Sequence, residues 1–434
     1  MWWSRKSLPD LDDFLKQLFQ ENMLLVNARG IIPEDFKYSA PAPLPSFFSL
    51  HIAEGCNFQC NYCYVDSPSK GKRMTLETGK KIMNLVSRLP VHFGIIQFHG
   101  GEPLLNFPLI TELVPYIHSI NRQRENPFRI AVQSNGSLLD PEKAAFFVEN
   151  RIMAGISVDG PQEIHDRHRI FRNKSGTHAS VMKGVAACRE AGLFPGVGAV
   201  LHEPDELVEV SRFLLDQGWT SFHLNPLACH GRGKNLRMDD AWGERLVKAY
   251  LELIDILLDR QEQLPPQTLD VWDVNVLILH LISPSRPFMC MRSPCGAGNT
   301  ILGFSAAGDI YSCEEMIGRS EFILGNVHNV SDLQEVLSGE RNRWVMSRRV
   351  ENIPACRNCT WRGFCGGGCA GKAHGVFDDL FREDPNCGFL SRVFPEIAWK
   401  VHRDKKMMGL LGKLWRHLVF PGENRAMAYG GPPK

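Results

Sequence analysis

The spacing of the cysteines constrains this chain more than any other feature of its sequence. Thirteen cysteines occur among 434 residues, and eleven of them fall into two groups. The first group, Cys56, Cys60 and Cys63, forms the pattern C-x3-C-x2-C and is called the barrel triplet below. The second group lies near the C-terminus and comprises Cys290, Cys295, Cys313, Cys356, Cys359, Cys365, Cys369 and Cys387. Thiolates spaced this closely can converge on one small inorganic group.

The length and charge of the chain argue against the usual structural use of many cysteines. At roughly 150 residues per domain, the length predicts two or three domains with ample core, so disulfides are not needed for folding. The 49 basic and 48 acidic side chains nearly cancel, so no global charge attracts nucleic acid or an anionic membrane. The N-terminus turns acidic where a signal peptide needs an apolar core, and no uncharged apolar run reaches the roughly 18 residues of a membrane span. We therefore expect a cytoplasmic, reduced protein without a transmembrane segment, in which clustered cysteines are metal or redox ligands.

The number of cysteines in each group favours iron–sulfur chemistry over zinc. Structural zinc takes four ligands, so a triplet leaves it one short unless a distant histidine joins. Three thiolates suit a [4Fe–4S] cluster with one open iron, and eight suit two fully ligated clusters. Zinc stays an alternative for the run from Cys356 to Cys369. Cys188 and Cys229 have no cysteine nearby in the sequence, and we expect ordinary thiols there.

The first half of the chain has the pattern of an α/β fold. Six short apolar runs alternate with amphipathic segments, namely FFSLHI, GIIQFH, FRIAVQ, IMAGISV, GVGAVL and SFHLNP. Such alternation predicts a parallel sheet with right-handed crossovers. The predicted fold is a partial (β/α)6 barrel of the TIM type.

Polar motifs follow the first four predicted strands at the point where each strand ends. The barrel triplet follows the first, His99–Pro103 (HGGEP) the second, Ser134–Gly136 the third, and Asp159 the fourth. The carboxyl ends of parallel strands form the face on which such sheets and barrels build their sites. The four loops therefore predict one functional site.

The remaining segments give a provisional division of the chain. Residues 1–45 hold a predicted helix and a proline-rich linker, residues 46–226 the barrel, and residues 227–285 a helical linker. Residues 286–390 are rich in Cys and Gly and predict a small domain organised around metal. Residues 391–434 predict a basic helical tail that covers this domain; binding to a membrane surface or a partner is the alternative.

Taken together, these motifs resemble the radical S-adenosylmethionine (radical SAM) enzymes. The resemblance rests on the barrel triplet with Tyr62 before its last cysteine, on Gly100–Pro103, and on the partial barrel. The pattern from Cys290 to Cys387 resembles the SPASM extension, which carries two auxiliary [4Fe–4S] clusters. The resemblance covers roughly residues 46–390 and implies three [4Fe–4S] clusters and S-adenosylmethionine as cofactors.

The resemblance also implies a reaction. The open iron of the triplet cluster would be chelated by the amino and carboxylate groups of S-adenosylmethionine. An external one-electron reductant of the flavodoxin or ferredoxin type would reduce the cluster. The sulfonium would then be cleaved to a 5′-deoxyadenosyl radical, which abstracts hydrogen from the substrate.

Residues at the strand ends are implied to contact S-adenosylmethionine. Glu102 would accept a hydrogen bond from the methionine ammonium, because the flanking glycines allow close backbone approach. Tyr62 would hold the adenine, and Arg169 could face a carboxylate. The other predicted contacts are Gly100, Gly101, Pro103, Ser134, Asn135, Ser157 and Asp159. For Ser134, Asn135, Ser157 and Asp159 a turn-forming role is the alternative.

Next to Arg169, the polar run HDRHR predicts solvated loop residues. Its members His165, Asp166 and His168 are spaced closely enough to make metal binding the alternative.

For the C-terminal cysteines the resemblance implies two sets of four. Cys290, Cys295, Cys313 and Cys369 (set I) would hold auxiliary cluster I, and Cys356, Cys359, Cys365 and Cys387 (set II) would hold auxiliary cluster II. Because four cysteines leave no open iron, we expect electron transfer by these clusters and not direct ligation of substrate.

Relatives of this type act mostly on peptides or proteins, which sets the functional prediction. The sulfatase-maturing branch carries an Asp after the third SPASM cysteine as a base, where this chain has Glu314, one methylene longer. Glu314 is therefore the candidate catalytic residue, with a solvated residue as the alternative. We expect oxidative modification of a peptide or protein side chain, namely crosslink formation in a ribosomally made precursor peptide. Sulfatase maturation to formylglycine and a non-catalytic iron–sulfur electron carrier are the alternatives.

Recognition of a precursor peptide needs a binding element. Residues 1–45 are shorter than the roughly 80–90 residues of a complete leader-binding domain with its own core. We therefore expect a separate leader-peptide-binding protein, or recognition by the barrel itself.

Overall fold

Six parallel strands form the centre of the structure, a computed structural model that describes residues 43–235, 238–265, 268–282 and 288–411. Each coincides with one of the six predicted apolar runs, and the predicted parallel α/β core is confirmed. The strands are β1 (Phe47–Ala53), β2 (Ile95–Gly100), β3 (Arg129–Ser134), β4 (Ile152–Ser157), β5 (Gly196–Leu201) and β6 (Ser221–Pro226). The N-terminal helix predicted within residues 1–45 and the last part of the basic tail lie outside the described residues.

Helices follow the strands in the predicted alternation. Several begin at a side chain that accepts a hydrogen bond from a backbone N–H of the first turn, such as Thr75, Asp140 and Asp239. The barrel helices are α1 (Leu76–Val86), α2 (Phe107–Asn121), α3 (Pro141–Glu149), α4 (Gln162–His168), α5 (His178–Glu190) and α6 (Leu207–Asp216). Two further helices follow the last barrel strand, α7 (Asp240–Glu262) and α8 (Trp272–Ile282).

The cysteine-rich region continues the barrel sheet. Its first strand, β8 (Ile301–Phe304), pairs in parallel with β1, and β9 (Asp309–Tyr311) and β10 (Ile323–Asn326) add an antiparallel pair. On the other side β7 (Asp270–Val271) pairs with β6, and the order across the sheet is β10-β9-β8-β1-β2-β3-β4-β5-β6-β7. Pairing of β8 with the first barrel strand fixes the cysteine-rich region against the barrel.

Five helices follow in the C-terminal region, and two of them contain one cysteine each, Cys365 and Cys387. The five helices are α9 (Leu333–Leu337), α10 (Glu340–Met346), α11 (Arg362–Cys365), α12 (Ala370–Phe377) and α13 (Cys387–Arg403). Helix α13 packs against α7, where the rings of Tyr250 and Phe389 lie 5.0 Å apart. It also crosses the predicted boundary at residues 390 and 391, so the start of the predicted tail belongs to a packed helix. None of the described helices combines the length and apolarity needed to cross a bilayer.

Strand register gives the sheet two chemically different faces. Phe48, Leu50 and Ile52 of β1 are fully buried in the apolar core, whereas the alternate positions carry Ser49 and His51. These polar positions align with Gln97 and His99 of β2. One face of the first two strands is therefore lined by polar side chains.

Candidate functional site

The barrel triplet lies in the loop that follows β1, and two arginines anchor that loop. Arg172 Nε donates to the Cys56 carbonyl at 3.1 Å, and Arg232 Nε donates to the Cys60 carbonyl at 2.7 Å. The Phe58 backbone N–H lies 3.3 Å from the Cys56 sulfur. The loop conformation is therefore fixed by contacts to its backbone, which leaves the sulfur atoms free to ligate.

Burial governs the protonation of two thiols of the triplet. Burial raises the pKa of Cys56 to about 12 and that of Cys60 to about 11, with Arg169 opposing the shift at Cys60. Bound metal removes such protons, because the cation stabilises the thiolate. The buried, clustered thiols thus fit a cationic group.

The described donors do not form a compact site for a single metal ion. Zinc holds four thiolates at about 2.3 Å from one centre, which brings the sulfurs into mutual contact. Across the described ranges, no three His, Cys, Asp or Glu side chains approach closely enough to hold one metal ion. The zinc alternative for the run from Cys356 to Cys369 gains no support from this geometry.

The HGGEP segment is bound directly to the entrance of the cysteine loop. The Gly101 N–H donates to the Ala53 carbonyl at 2.7 Å, and the Glu102 N–H donates to the Gly55 carbonyl at 2.9 Å. A Cβ at Gly101 would lie 2.3 Å from the Gly55 oxygen, and one at Gly100, with φ +134°, would lie 2.3 Å from the Ala53 oxygen. Only glycine allows this approach, which places Glu102 beside the triplet loop.

Glu102 is fully buried, and its carboxylate accepts three hydrogen bonds. The donors are the Ser134 hydroxyl at 2.8 Å, the Asn135 N–H at 2.8 Å and the Leu104 N–H at 3.0 Å. Burial raises the pKa of Glu102 to about 7, against these three donors, which lower it. Ser134 and Asn135 therefore position the carboxylate, and Pro103 opens the short 3-10 turn that supplies the third donor.

Asn135 also connects the carboxylate to the cysteine loop. Its side-chain amide lies 2.9 Å from the Asn57 side-chain oxygen and 3.8 Å from the Cys56 sulfur. The predicted residues after β2 and β3 thus meet at the barrel triplet.

Tyr62, Asp159 and Arg169 form a buried network next to the last cysteines of the triplet. The Tyr62 hydroxyl donates to Asp159 Oδ2 at 2.5 Å, Arg169 Nε donates to the same oxygen at 2.8 Å, and the guanidinium lies over the Tyr62 ring. Burial acts to raise the pKa of Asp159, but Arg169 and the Tyr62 hydrogen bond hold it below its usual value. The carboxylate that Arg169 faces is thus one of the chain's own. Ser157, the remaining predicted contact, accepts a bond from Gln133 Nε2 at 3.3 Å.

The expectation that the HDRHR run forms a solvated loop is wrong. His165, Asp166 and His168 belong to α4, and both His165 and Arg169 are buried. Asp166 Oδ1 accepts from the N–H groups of Thr177 and His178, at 2.7 and 2.8 Å, and so caps the start of α5. Tertiary packing explains the difference, because the run turns inward toward Asp159.

Two histidines near the site, His51 and His202, were missed by the sequence analysis. His51 and His99 stack with ring centroids 4.9 Å apart on the polar face of β1 and β2, and His51 Nε2 is buried without a partner among the described residues. His202 stacks on His168 at 3.4 Å and contacts the Tyr62 ring at 4.5 Å. Burial lowers the pKa of His99 to about 4 and that of His202 to about 3, so both are neutral at pH 7. Their position at strand ends was the only available signal.

The electrostatic effects of the C-terminal cysteines on one another fall into two groups, and the assignment of two clusters to them stays a prediction. In set I, burial raises the pKa of Cys290, and Cys369 and Cys295 raise it further; Cys313 is affected likewise by Cys290 and Cys369. In set II, burial raises the pKa of Cys365 to about 12, with further effects of Cys356 and Cys359, and Cys387 responds to Cys365 and Cys359. The effects of the cysteines on one another's pKa thus stay within each set.

Three glycines separate the sets where the chain passes from one to the other. Gly366, Gly367 and Gly368 lie between Cys365 of set II and Cys369 of set I, with φ of +63°, +82° and +66°. A Cβ at Gly366 would lie 2.4 Å from the Arg292 backbone. This left-handed turn directs neighbouring cysteines to different sets.

Glu314 and Glu315 lie between set I and the polar face of the barrel. Burial raises the pKa of Glu314 to about 7, Glu315 raises it further, and its Oε2 atom is buried without a partner among the described residues. Glu315 lies 3.2 Å from His230 Nε2, and His230, Lys372 and Arg319 lower its pKa against burial. The Oε2 atoms of both carboxylates lack a hydrogen bond among the described residues, but only Glu315 has an ion-pair partner there.

The two remaining cysteines lie apart from these groups. Cys188 is fully buried in α5, and Cys229 is buried after β6. Burial raises the pKa of both thiols, and no other cysteine contributes to either shift. Their assignment as ordinary thiols stays a prediction.

Comparison with known proteins agrees with this geometry. Residues 50–214 match the sequence model of the Radical SAM superfamily, and residues 295–360 match that of the SPASM iron-sulfur cluster-binding domain. The two matches together span more than half of the chain.

Individual relatives are similar over most of the chain. A cysteine-type anaerobic sulfatase-maturating enzyme of Clostridium novyi is 21% identical over 81% of this chain and 97% of its own. The antilisterial bacteriocin subtilosin biosynthesis protein AlbA of Bacillus subtilis is 23% identical over 75% of this chain and 67% of its own. The solved structure of anSMEcpe with bound AdoMet superposes with a TM-score of 0.71 and 19% identity, covering 84% of this chain and 98% of that one.

The sequence models identify two domains, and the superposition confirms the fold. The chain therefore belongs to the radical SAM superfamily, carries a SPASM domain beside its barrel, and uses S-adenosylmethionine and [4Fe–4S] clusters as cofactors.

Proposed function

We propose that this enzyme cleaves S-adenosylmethionine reductively and oxidises a side chain of a peptide, forming a crosslink in a ribosomally made precursor. The observation that carries the proposal is the meeting of the barrel triplet with Glu102 at one end of the sheet. Bound there, the cluster and S-adenosylmethionine would supply a carbon radical that takes hydrogen from the substrate. AlbA, a relative named for subtilosin biosynthesis, supports the choice of a precursor peptide.

The binding role falls to residues that this chain holds in place. Glu102 would accept a hydrogen bond from the methionine amino group, because its position is fixed by Ser134, Asn135 and Leu104. The three cysteines of the triplet would hold three irons and leave the fourth for the amino and carboxylate groups. Tyr62, fixed by its bond to Asp159, would contact the adenine.

Sets I and II would each hold one auxiliary cluster. Because each set supplies four thiolates, neither cluster offers an open iron to the substrate. We propose that they transfer electrons, either accepting one after hydrogen abstraction or conducting one to the barrel. A substrate-dependent change in the Mössbauer signal of an auxiliary iron would contradict this role.

Glu314 would act as the base that removes a proton from the substrate. Its free Oε2 lies between set I and the polar face that carries Ser49, so a radical formed on the substrate could lose a proton there and an electron to cluster I. A general base of this kind contributes about 10²–10⁴-fold to a rate. We expect Glu314→Gln to keep S-adenosylmethionine cleavage and to lose product formation by that factor, with Glu314→Asp losing less.

The test begins with the enzyme reconstituted with iron and sulfide under anaerobic conditions. Incubation with S-adenosylmethionine, a one-electron reductant and a candidate precursor peptide should yield 5′-deoxyadenosine and a peptide lacking two hydrogens. Cys60→Ala is the matched control and should yield neither. Absence of 5′-deoxyadenosine from the fully loaded wild-type enzyme would overturn the proposal.

Sulfatase maturation is the second candidate, because the relative from Clostridium novyi carries that name and Glu314 follows the third SPASM cysteine. The two functions differ in product, since formylglycine formation converts a Cys or Ser to an aldehyde. A peptide carrying a sulfatase motif, assayed beside the precursor peptide, separates them. Aldehyde formation with no crosslink would favour the second candidate.

A further inference from the structure

A buried arginine in the SPASM domain takes no part in the sites described so far. Arg348 follows α10, is 2% exposed, and is among the largest fully buried side chains of the protein. Arginine keeps its charge under all conditions relevant to a folded protein. A full positive charge therefore lies inside this domain.

The Arg348 guanidinium is held by backbone carbonyls alone. Its Nε donates to Leu380 at 2.7 Å, and Nη1 donates to Gly368 at 3.0 Å. Its Nη2 donates to Gly367 at 2.8 Å and to Arg382 at 3.0 Å. Four acceptors fix the orientation of the group and replace its water.

Carbonyl oxygens solvate a cation without neutralising it. In the part of the chain that the structure describes, no carboxylate forms an ion pair with Arg348, in contrast to Arg169 with Asp159. An unpaired buried charge is costly, so a compensating negative group is expected nearby.

Set II is a candidate for that group, together with the buried carboxylate of Asp384, which lies against Gly368. Two of the four carbonyls belong to the Gly366–Gly368 turn, whose Gly367 N–H lies 3.4 Å from the Cys365 sulfur. Cys356 of the same set packs with Val350, two residues after Arg348. Burial and Cys387 raise the pKa of Cys356 to about 11, and Arg348 is the cation that opposes this shift.

A [4Fe–4S] cluster with four thiolates carries a net negative charge that grows by one unit on reduction. A fixed cation nearby stabilises the reduced form more than the oxidised form. Glu383 and Asp384 also act on the set II thiols, with opposite sign. Glu383 pairs with Arg382 at the surface, whereas Asp384 accepts the Cys369 and Asn386 N–H groups.

We propose that Arg348 is a positioning and charge-compensating residue that raises the reduction potential of auxiliary cluster II. The proposal rests on the assignment of set II to that cluster under the proposed function. It implies that the cluster accepts an electron more readily than four thiolates in an apolar site would allow. Loss of the charge shifts the equilibrium toward the oxidised cluster.

The test is a redox titration followed by electron paramagnetic resonance. The full chain is reconstituted in a Cys56→Ala, Cys60→Ala, Cys63→Ala background, so that only the two auxiliary clusters contribute. We expect Arg348→Gln to shift one of the two couples about ten-fold against reduction, which is about 59 mV for one electron, and to leave the other in place. Arg348→Lys keeps the charge and should stay near the unsubstituted value.

Arg341 provides the matched control. It lies in α10, and its Nη1 donates to the Ser320 and Ile323 carbonyls, but it is exposed and contacts neither set of cysteines. Arg341→Gln should leave both couples unchanged. An unchanged potential in Arg348→Gln, or an equal shift in Arg348→Lys, would overturn the proposal.

Two readouts keep the outcomes distinct. Iron and sulfide are measured on every sample. If Arg348→Gln loses cluster II, the proposal is decided by whether Arg348→Lys keeps or loses the reduction potential of the unsubstituted protein. S-adenosylmethionine cleavage is measured on the chain with its triplet intact. Its failure would contradict the proposed function and would leave the comparison of potentials valid.

Discussion

The barrel triplet and the SPASM cysteines are surrounded by different charges. In the barrel, burial raises the pKa of Cys60 and Cys56; Arg169 and Arg232 oppose the shift at Cys60, while Glu102 adds to that at Cys56. In set I, burial raises the pKa of Cys290 and Cys313 and Glu314 raises both further, whereas Lys372 opposes the raised pKa of Cys369. The triplet thus has one carboxylate and two arginines beside it, whereas set I has the carboxylates of Glu314 and Glu315 and one lysine beside it.

The difference in cysteine number gives this contrast a chemical meaning. Three sulfurs leave one iron of a cubane cluster unligated, and four leave none. Under the proposed function, the barrel would combine an open coordination position with Glu102, which would accept from the amino group. The SPASM sites would be closed, and their surroundings could adjust electron affinity only.

The largest expected effect comes from removing one cysteine on each side of the comparison. Cys60→Ala should abolish S-adenosylmethionine cleavage, because the cluster that binds it is lost. Cys359→Ala should lose product formation and keep cleavage by a small chemical reductant that reaches the barrel cluster directly, because only cluster II is affected. Quantification of 5′-deoxyadenosine and product with the same reductant checks both. Equal loss of cleavage in the two variants would remove the distinction between an open and a closed site.

Glu102→Gln should weaken the binding of S-adenosylmethionine about ten-fold to a hundred-fold. A hydrogen bond to a charged group contributes roughly 1.5–3 kcal/mol. The neutral amide oxygen of Gln would accept a weaker hydrogen bond from the amino group than the Glu102 carboxylate does. Isothermal titration under anaerobic conditions measures the change. Unaltered affinity would place the amino group elsewhere.

The pH dependence of S-adenosylmethionine binding by the wild-type enzyme is a second test of the role of Glu102. Burial raises its pKa to about 7, so affinity should fall as the pH drops below about 7, where the carboxylate gains a proton. The amino group that ligates iron must also lose its proton, which a free α-amino group does near pH 8, so affinity should rise further through that range. Glu102→Gln should remove the pH dependence near pH 7 and keep that near pH 8. A Gln variant whose dependence near pH 7 is unchanged would assign it to another group.

Gly367→Ala should disturb the turn between the two SPASM sets. At φ +82° a side chain is strained by roughly 1–2 kcal/mol, and its Cβ would lie 2.9 Å from Ile353. We expect one cluster to be lost from part of the protein, so that the iron content falls by up to about four atoms per chain. Gly363→Ala is the control, since no atom lies within 4 Å of its Cβ position. Full iron content in Gly367→Ala would show that the turn tolerates a side chain.

The smallest effect is expected at the cysteines outside the three groups. Cys188→Ala should leave iron content unchanged and lower the unfolding temperature slightly, because one buried sulfur is lost from α5. Iron analysis and a thermal melt under anaerobic conditions measure both. A drop in iron would add Cys188 to the ligand sets.

The sequence predicted the parts of this molecule that depend on local pattern. The six barrel strands and the meeting of the polar loops at their ends follow from apolar runs and their order, which parallel sheets impose. Pairing of β8 with β1 joins residues more than 250 positions apart, and no local pattern encodes it. The inward direction of His51 and His99 was also hidden, because strands buried on both faces do not show a clear alternation.

Arg348 and the HDRHR run illustrate a second reason why some features could not be predicted from the sequence. An arginine or a run of charged residues is usually solvated, and only tertiary contacts reveal that Arg348 and His165 are buried. Both depend on groups far away in the sequence, namely the Leu380 carbonyl and Thr177. The charge environment of the clusters is therefore a property of the fold.

Mössbauer spectroscopy of the protein loaded with iron-57 tests the central contrast most directly. Three clusters hold about twelve irons, of which the cysteines of the triplet and of sets I and II ligate all but one. On addition of S-adenosylmethionine, one iron should change its isomer shift toward that of a site with nitrogen and oxygen ligands. The signals of the remaining irons should stay as they were. A spectrum that does not change, or a change at an auxiliary cluster, would contradict the account.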